Sequence, residues 1–250
     1  MILPSSEIKD NFSRVACDYE KFADIQARLS DELLQRLQRE ELKPQVVLDI
    51  GCATGRLVSG LEKMFSKSKI LGVDISFLMS KVAYENGLKS LAGDGCDLPF
   101  KDDKFNLVVS NVAYQWVNNL QKAFTEAARI LDKEGFFLFS CFGAGTLNEL
   151  RRSFRIEENL LPTKDLIYES LKQAGLRDID LETVSRYKSF DNLTSILYWL
   201  KNIGANRVYS KRLFLTPGRL TKISDSYQKN YSRNGKAYAT FEVIWAKARK

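Results

Sequence analysis

One segment constrains the fold of this chain more than any other. Residues 46–55 read Val-Val-Leu-Asp-Ile-Gly-Cys-Ala-Thr-Gly, an apolar run that leads into a turn with glycine at both corners. This pattern predicts a buried strand followed by a tight turn that opens a helix. In open α/β sheets, ligands bind outside the carboxyl ends of the strands, and backbone N–H groups at the next helix start meet polar or anionic ligand groups. We therefore expect a nucleotide-binding turn here.

The turn departs from the dinucleotide-binding fingerprint. That fingerprint is Gly-x-Gly-x-x-Gly, whereas Ala53 and Arg56 occupy the positions of the second and third glycines. The turn is therefore Rossmann-like but poorly suited to NAD. We expect alanine to be tolerated at position 53 if its backbone keeps a negative φ.

Strands and helices alternate along the central part of the chain. Apolar runs predict strands near 46–50, 69–74, 89–93, 105–110 and 135–141, with helices near 55–66, 76–86 and 119–131. The alternation predicts an α/β, Rossmann-like fold with a mostly parallel seven-stranded sheet, preceded by helices. The alternating segment Ala237–Lys247 is expected to form an antiparallel strand at the sheet edge.

Length and composition favour one domain. A chain of 250 residues with 44% hydrophobic content can bury one sizeable core. The expected parts are an N-terminal helical segment (1–45), a ligand-binding core (46–142), a mostly helical insertion that roofs the site and carries a weaker strand between 178 and 190 (143–235), and a final edge strand (236–250). Basic residues are frequent in the insertion, namely Arg151, Arg152, Arg155, Lys201, Arg207, Lys211, Arg212, Arg219 and Lys222.

The chain contains no histidine. Ser-His-Asp and Cys-His catalysis are thereby excluded, as is imidazole ligation of a metal, and we expect no metal site. A formal net charge of +7 favours acidic partners. The four cysteines show no Cys-x-x-Cys pairing, and no signal peptide or run of 18 apolar residues is present. We therefore expect reduced thiols and a cytoplasmic protein without a membrane segment.

Two acids end the next predicted strands. Asp74 ends the second strand, where such folds hold a ribose through its hydroxyls, and Asp94 ends the third, where a carboxylate can accept from an adenine amino group. The glycine-cornered turn and these two acids, in this order, resemble class I S-adenosylmethionine (SAM) methyltransferases. The resemblance implies SAM as the cofactor. Alternatively, Asp49 and Asp74 only cap neighbouring helices, and the Gly93-Asp94 pair forms an ordinary turn.

The resemblance implies a set of cofactor-binding residues. By this resemblance, Asp49 and the turn at 51–55 are expected to hold the methionine end of SAM. Ile75 and Met79 are expected to pack against adenine, and Arg14 to reach the SAM carboxylate. The full set is Arg14, Asp49, Gly51, Cys52, Ala53, Thr54, Gly55, Asp74, Ile75, Met79, Asp94, Gly95, Cys96 and Ser110. Alternatively, the two cysteines are small apolar fillers and Arg14 is a solvated side chain.

Nearly the whole chain resembles the malonyl-acyl carrier protein O-methyltransferases of the biotin pathway. The matching segments are residues 12–19 (Phe-Ser-Arg-Val-Ala-Cys-Asp-Tyr), 23–26 (Ala-Asp-Ile-Gln), the Gly51 turn, 93–94 (Gly-Asp) with 98–99 (Leu-Pro), 110–116 (Ser-Asn-Val-Ala-Tyr-Gln-Trp), 145–150 (Gly-Thr-Leu-Asn-Glu-Leu) and 200–206 (Leu-Lys-Asn-Ile-Gly-Ala-Asn). The family transfers a methyl group from SAM to the free carboxylate of a malonyl thioester. The implied partner is acyl carrier protein, or CoA, bearing malonate; we expect a monomer that binds no nucleic acid.

The residue chemistry agrees with that reaction. A malonyl carboxylate has a pKa of roughly 3 to 4, so it is ionised at neutral pH and attacks without a general base. The enzyme must then supply alignment and exclusion of water. The candidate catalytic residues are Tyr19, Asn111, Gln115, Trp116 and Arg151. Core packing for the tyrosine and tryptophan, and solvation for the glutamine and arginine, are the alternatives.

Parts of the sequence also resemble other classes of methyltransferase. Methylation of an RNA or protein nitrogen is disfavoured because the Asn/Asp-Pro-Pro-aromatic motif of amino-directed enzymes is missing from residues 111–114, Asn-Val-Ala-Tyr. Carboxyl methyltransferases for small acids such as trans-aconitate, and respiratory complex I assembly factors that act on a protein arginine, have similar sequences. A SAM-binding scaffold without turnover is a further alternative.

Overall fold

The computed structural model describes residues 4–156, 161–205 and 216–250. The helices in these ranges are α1 (Ser5–Val15), α2 (Tyr19–Phe22), α3 (Asp24–Gln38), α4 (Arg56–Met64), α5 (Phe77–Glu85), α6 (Leu120–Ile130), α7 (Asn148–Phe154), α8 (Lys164–Gln173), α9 (Leu193–Asn202) and α10 (Pro217–Asn230). The strands are β1 (Val46–Ile50), β2 (Lys69–Asp74), β3 (Ser90–Ala92), β4 (Phe105–Asn111), β5 (Leu131–Phe142), β6 (Arg177–Phe190), β7 (Ser232–Arg233) and β8 (Lys236–Arg249). A single 3₁₀ turn, Tyr114–Trp116, follows β4.

The strands form one twisted sheet in the order β3-β2-β1-β4-β5-β8-β6, with β7 paired to the start of β8. Strands β1 to β5 are parallel, and β8 runs antiparallel to both of its neighbours. The predicted Rossmann-like fold with a mostly parallel sheet is confirmed.

One detail of that prediction is wrong, because the last strand is not at the edge. Strand β8 lies between β5 and β6, and β6 is the edge strand. The burial patterns give the physical reason. Residues 243–246 of β8 are all buried, as expected for a strand covered on both faces, whereas β6 alternates between exposed and half-buried residues.

Successive side chains of the central strands enter two different hydrophobic clusters. Val47 packs in one cluster with α3 and α4, whereas Leu48 packs in the other with α6 and α8. This alternation follows from the period of two residues in a strand, and it buries the parallel sheet on both faces. The apolar positions of α3, Leu29, Leu33 and Leu37, repeat every four residues and are almost fully buried.

Part of the expected insertion belongs to the sheet and its helical layers. Helix α8 packs on α6 and on β6, and β6 pairs with β8 along most of its length. Residues 164–190 therefore do not roof the site, contrary to the expectation for 143–235. Helix α10 packs on both α7 and α9. Within the described ranges, no helix combines the length and the hydropathy needed to cross a membrane.

Candidate functional site

A cavity of about 390 Å³ opens at the carboxyl ends of β1, β2 and β4. Its floor is formed by the turns that follow these strands, and the N-terminal helices and α9 close over it. This is the position that open α/β sheets use for ligand binding. Its wall carries four acids, Glu20, Asp49, Asp74 and Asp94, against two cations, Arg56 and Lys122, among the described residues. The wall therefore favours a ligand that carries positive charge.

Most of the predicted site residues line this cavity. From the predicted cofactor set they are Asp49, Gly51, Cys52, Ala53, Thr54, Asp74, Ile75, Asp94, Gly95 and Cys96. From the predicted catalytic set they are Tyr19, Asn111, Gln115 and Trp116. The sheet brings these residues together because parallel strands end at the same edge.

Five predicted site residues lie elsewhere. Met79, on α5, is fully buried in the core, and the Ser110 hydroxyl donates a 2.6 Å hydrogen bond to the Ile50 carbonyl inside the sheet. The other three are the helix-capping Gly55, the exposed Arg14, which donates to Asn11 Oδ1 at 3.4 Å, and Arg151, whose guanidinium donates to the Ala144 carbonyl and to Asn148 Oδ1. None of these five residues lines the cavity in this structure.

Asp49 has the least satisfied side chain of the site. It is 1% exposed, and neither carboxylate oxygen has a hydrogen-bond partner among the described residues. Burial raises the pKa of Asp49 well above its ordinary value, and the nearby charge of Asp74 raises the pKa further. A buried carboxylate in this condition is stabilised by a cationic hydrogen-bond donor.

Asp74 ties the ends of β1 and β2 together. Its Oδ2 accepts from the Ala53 N–H at 2.9 Å, and its Oδ1 accepts from the Ser76 N–H at 2.8 Å. Burial raises the pKa of Asp74 to about 6, although both hydrogen bonds act in the opposite direction. Each oxygen keeps a second lone pair, so the carboxylate is still able to accept from the hydroxyls of a ligand.

The turn after β1 contains three residues with left-handed backbone, namely Gly51, Ala53 and Gly55. Gly51 has φ +77°, and a Cβ at this position would lie 2.4 Å from the Cβ of Ala113. Ala53 has φ +47°, so the condition of a negative φ, under which alanine was expected to be tolerated, is not met. The hydrogen bond from its N–H to Asp74 holds the residue in this conformation, at a cost of about 1–2 kcal/mol for an L-residue.

Glycine at position 53 is expected to stabilise the protein. Ala53→Gly removes the left-handed penalty but increases the entropy of the unfolded chain, which leaves a net gain of about 0.5–1 kcal/mol. Urea unfolding of the two proteins measures the difference. The same substitution at Ala92, in β3, is a control that should destabilise. A loss of stability in Ala53→Gly would contradict the strain at this residue.

The polar side chains after β4 are already engaged. Asn111 Nδ2 donates to the Gln26 carbonyl at 2.9 Å, and Asn111 Oδ1 accepts from Ser140 Oγ at 2.8 Å. Gln115 Nε2 donates to the Val112 carbonyl, and its Oε1 accepts from the Phe142 N–H at 3.4 Å. These amides hold the loop after β4 and helix α3 in place, which is a different use from the predicted contact with the acceptor.

Tyr19 and Trp116 form part of the cavity wall. The Trp116 ring meets Phe12 edge to face, with 5.4 Å between ring centroids. Tyr19 is 8% exposed, and burial raises the pKa of its hydroxyl, with Asp74 and Glu20 adding to the rise. The hydroxyl therefore remains a neutral hydrogen-bond donor at physiological pH.

Sequence reasoning missed several lining residues. Gln26 and Ser30 on α3 line the cavity. The sequence signal for Gln26 was the Ala-Asp-Ile-Gln match at 23–26, and the signal for Ser30 was its spacing of one helical turn from Gln26. The apolar part of the wall comes from distant elements, namely Ile8, Phe12, Phe142, Leu147, Trp199, Leu200, Ile203 and Phe241. Of the predicted basic residues, Arg207, Lys211 and Arg212 lie outside the described residues, as does Asn206; Arg152, Arg155, Lys201, Arg219 and Lys222 are exposed.

Comparisons with known proteins identify the superfamily and the family. Residues 48–139 match a family model described as a methyltransferase domain. A curated malonyl-acyl carrier protein O-methyltransferase of Geobacter sulfurreducens is 31% identical, with 80% of each chain covered. The enzyme of the same name from Methylovorus sp. is 31% identical over 100% of this chain and 90% of its own, and one from Coxiella burnetii is 30% identical over 96% and 86%.

Solved structures support the fold. The YcgJ protein from Bacillus subtilis has a TM-score of 0.64 at 19% identity and covers 88% of this chain and 98% of its own. A Haemonchus contortus phosphoethanolamine N-methyltransferase solved with SAM has a TM-score of 0.59 at 20% identity, over 88% of this chain and 52% of its own.

The described residues fit SAM on structural grounds. The unpartnered Asp49 carboxylate suits a ligand that carries an ammonium group, and the Gly51 turn beside it lines the same cavity. Asp74 has acceptor capacity left for ribose hydroxyls, and Ile75 offers apolar surface beside it. Together with the relatives over most of its length, these features show that the chain belongs to the malonyl-acyl carrier protein O-methyltransferase family and is a SAM-dependent O-methyltransferase.

Proposed function

We propose that this enzyme methylates the free carboxylate of a malonyl thioester, carried by acyl carrier protein or by CoA, as an early step in making the pimelate part of biotin. The observation that carries the proposal is similarity at about 30% identity over 80–100% of the chain to relatives that bear this activity in their names. The composition of the cavity wall is compatible with it.

The chemistry needs no proton transfer from the protein. When bound, SAM supplies a methyl group activated by a sulfonium. A malonyl carboxylate is ionised at neutral pH, so a chain without histidine is sufficient. The task of the protein is to align the carboxylate oxygen with the methyl carbon and to keep water away.

Apolar side chains exclude water at the acceptor end. Phe12, Trp116, Leu147, Trp199 and Phe241 line the cavity from five different parts of the fold. Thr146 also lines the cavity, but its hydroxyl is hydrogen-bonded to the backbone of Glu242. It donates to the Glu242 carbonyl and accepts from the Glu242 N–H, both at 3.1 Å. A weakly solvated carboxylate is a stronger nucleophile than a hydrated one, and a tight ion pair would reduce that advantage.

Tyr19 is the described residue best suited to orient the reacting groups. Its hydroxyl is a neutral donor in a largely buried position beside Asp74. Asn111 and Gln115 act indirectly, since their amides fix the loop after β4 and thereby the position of Trp116. Arg151 receives no role in this proposal because its guanidinium is bound to residues of its own segment.

The proposal is tested with purified protein, SAM and a panel of acceptors. Malonyl-acyl carrier protein and malonyl-CoA should give methyl esters detectable by mass spectrometry, whereas acetyl-acyl carrier protein, which lacks the carboxylate, should not react. Rescue of a biotin-requiring strain that lacks its own malonyl methyltransferase is the matching test in cells. Product formed only on trans-aconitate or on a protein arginine would overturn the proposal.

SAM affinity is expected to fall below about pH 6. Burial raises the pKa of Asp74 to about 6 in the unliganded protein. Ribose hydroxyls donate more strongly to an ionised carboxylate than to a carboxylic acid, so affinity is present above this pKa and is lost as the pH drops through it. Calorimetric titration with S-adenosylhomocysteine across a pH series from about 5 to 8 measures the effect. In Asp74→Asn the step should disappear; a step that survives would assign it to another group.

The exposed arginines of α7 are expected to steer the acyl carrier protein. Arg152 and Arg155 lie at the end of a helix that begins beside the cavity-lining Leu147. Because acyl carrier proteins are strongly acidic, reversing both charges to glutamate should lower kcat/KM for malonyl-acyl carrier protein by roughly 10-fold at low salt. The value for malonyl-CoA should change by less than about twofold.

A matched control separates local docking from net charge. Lys67 and Lys69 are exposed residues at the amino end of β2, the opposite end of the sheet from the cavity. Changing both to glutamate alters the net charge equally and should leave the ratio of the two kcat/KM values unchanged. Equal losses on both acceptors in the α7 variant, or the same loss in the control, would rule out docking at α7.

A further inference from the structure

Helix α3 presents a polar pair to the cavity. Gln26 and Ser30 are four residues apart, so they lie on one face of the helix, and both line the cavity. Ser30 is 2% exposed, and its Oγ has no hydrogen-bond partner among the described residues. The Oε1 of Gln26 is likewise buried without a partner there. Buried polar atoms are nearly always paired, so these two require an explanation.

The position of this pair is set by a link to the sheet. Asn111, the last residue of β4, donates from Nδ2 to the Gln26 carbonyl at 2.9 Å. Its own Oδ1 accepts from Ser140 on the neighbouring strand β5. The backbone of α3 is therefore held over the carboxyl ends of the central strands. Asp49 lies there as well, because β1 pairs directly with β4 and Asp49 is in register with Val109.

The unpaired atoms define the chemistry of their partner. Gln26, Ser30 and Asp49, the residues that carry these atoms, line one cavity. Of the four unpaired atoms, Gln26 Oε1 and the two carboxylate oxygens of Asp49 only accept hydrogen bonds. A ligand carboxylate would be repelled by Asp49, and an apolar group would leave the acceptors unpaired at about 1–3 kcal/mol each. A primary ammonium offers three N–H donors and a positive charge. It satisfies all three side chains at once.

We propose that Gln26 and Ser30, together with Asp49, bind the ammonium of the methionine portion of SAM. Gln26 and Ser30 are thus cofactor-binding residues contributed by the N-terminal segment. The inference deepens the proposed function, since it rests on SAM as the methyl donor, but it is independent of the acceptor. It also gives the Asn111–Gln26 hydrogen bond a purpose, which is to hold the α3 side of the ammonium site against the strand ends.

The test compares the binding of three ligands that differ in one group each. The ligands are S-adenosylhomocysteine, its decarboxylated analogue, which keeps the amine, and its deaminated analogue, which keeps the carboxylate. In isothermal titration calorimetry, Gln26→Leu should bind the two amine-bearing ligands roughly 10- to 100-fold more weakly than the wild type. Its affinity for the deaminated analogue should stay within about twofold. Ser30→Ala should show the same selectivity with a smaller loss.

Gln35→Leu is the matched control for the helix. Gln35 is an exposed residue on the same helix and does not line the cavity, so this substitution should leave all three affinities unchanged. Thermal unfolding of each variant shows whether α3 still packs. A Gln26→Leu protein that unfolds early is replaced by Gln26→Met, which keeps the length of the side chain and removes the amide.

Three outcomes would overturn the inference. They are equal losses for all ligands, losses confined to the two ligands that carry a carboxylate, and unchanged affinity throughout. None of these depends on the acceptor. Selective loss of amine binding in a protein that does not methylate malonyl-acyl carrier protein would support the inference and refute the proposed function. Methylation of malonyl-acyl carrier protein without that selective loss in the Gln26 and Ser30 variants would support the proposed function and refute the inference.

Discussion

Asp49→Asn is expected to stabilise the unliganded protein while weakening SAM binding by roughly 100-fold or more. The Asp49 side chain is 1% exposed and has no hydrogen-bond partner among the described residues, so the substitution removes a buried ionisable group without breaking a bond seen in the structure. With SAM bound, the same substitution leaves a buried ammonium without its counter-charge. Stability and ligand affinity therefore change in opposite directions.

The stability gain should depend on pH. Burial and the charge of Asp74 raise the pKa of Asp49 in the folded state above its value in the unfolded chain. The folded wild type binds the extra proton, so its stability is full below the unfolded pKa and decreases as the pH rises through the folded pKa. Asp49→Asn lacks this decrease. Thermal unfolding across a series from about pH 5 to 9 should show a difference that widens with pH.

An exposed aspartate provides the control for this experiment. Asp180 lies on the edge strand β6 and does not line the cavity. Asp180→Asn should change neither the pH profile of unfolding nor the affinity for S-adenosylhomocysteine. If Asp49→Asn lost stability as well as affinity, Asp49 would have a favourable partner in the unliganded protein, and its assignment to the ammonium would fail.

Gly51→Ala is expected to cost about 2–5 kcal/mol of folding stability. The left-handed φ of +77° accounts for about 1–2 kcal/mol of this. The remainder comes from overpacking, since the new Cβ would lie 2.4 Å from the Cβ of Ala113. A Cβ atom cannot change its position by rotation of the side chain, so the contact is relieved only if the backbone moves. Because both residues line the cavity, affinity for S-adenosylhomocysteine should fall by at least about 10-fold.

A double mutant separates the two causes. Ala113→Gly removes the methyl group that the new side chain meets, so Gly51→Ala combined with Ala113→Gly should recover the overpacking part and keep only the backbone penalty. Urea unfolding of the wild type, the two single variants and the double variant gives the coupling energy. A double variant no more stable than the sum of the single effects would show that contact with Ala113 is not the cause.

The central strands were predictable because their signals are local. Each of β1, β2, β4 and β5 is covered on both faces, so it reads as a continuous apolar run that ends at a turn. The position of β8 was not predicted, since pairing between residues far apart in the chain decides it. The buried run at 243–246, Val-Ile-Trp-Ala, was the available signal that this strand is internal rather than at the edge.

The candidate site likewise contains residues whose position was predicted from the sequence and residues whose position was not. Residues directly after a strand, such as Asp49, Asp74 and Asp94, lie in the cavity wall because the strand ends put them there. Met79 lies in the predicted helix after the second strand and Ser110 ends the predicted fourth strand, yet both side chains are buried in the protein interior. Sequence position selects the right edge of the sheet, but it does not decide which way a side chain faces.

The sequence by itself determined the Rossmann-like core, the exclusion of histidine-based catalysis and the choice of SAM over a dinucleotide, because each depends on residues within a short segment or on composition. Only the tertiary structure decided which parts of the chain complete the cavity. Gln26 and Asn111 are 85 residues apart in sequence, and a hydrogen bond between them links α3 to the end of β4. The polar pair on α3 and the apolar wall from α9 and β8 reach the site through such long-range packing, which has no local pattern in the sequence.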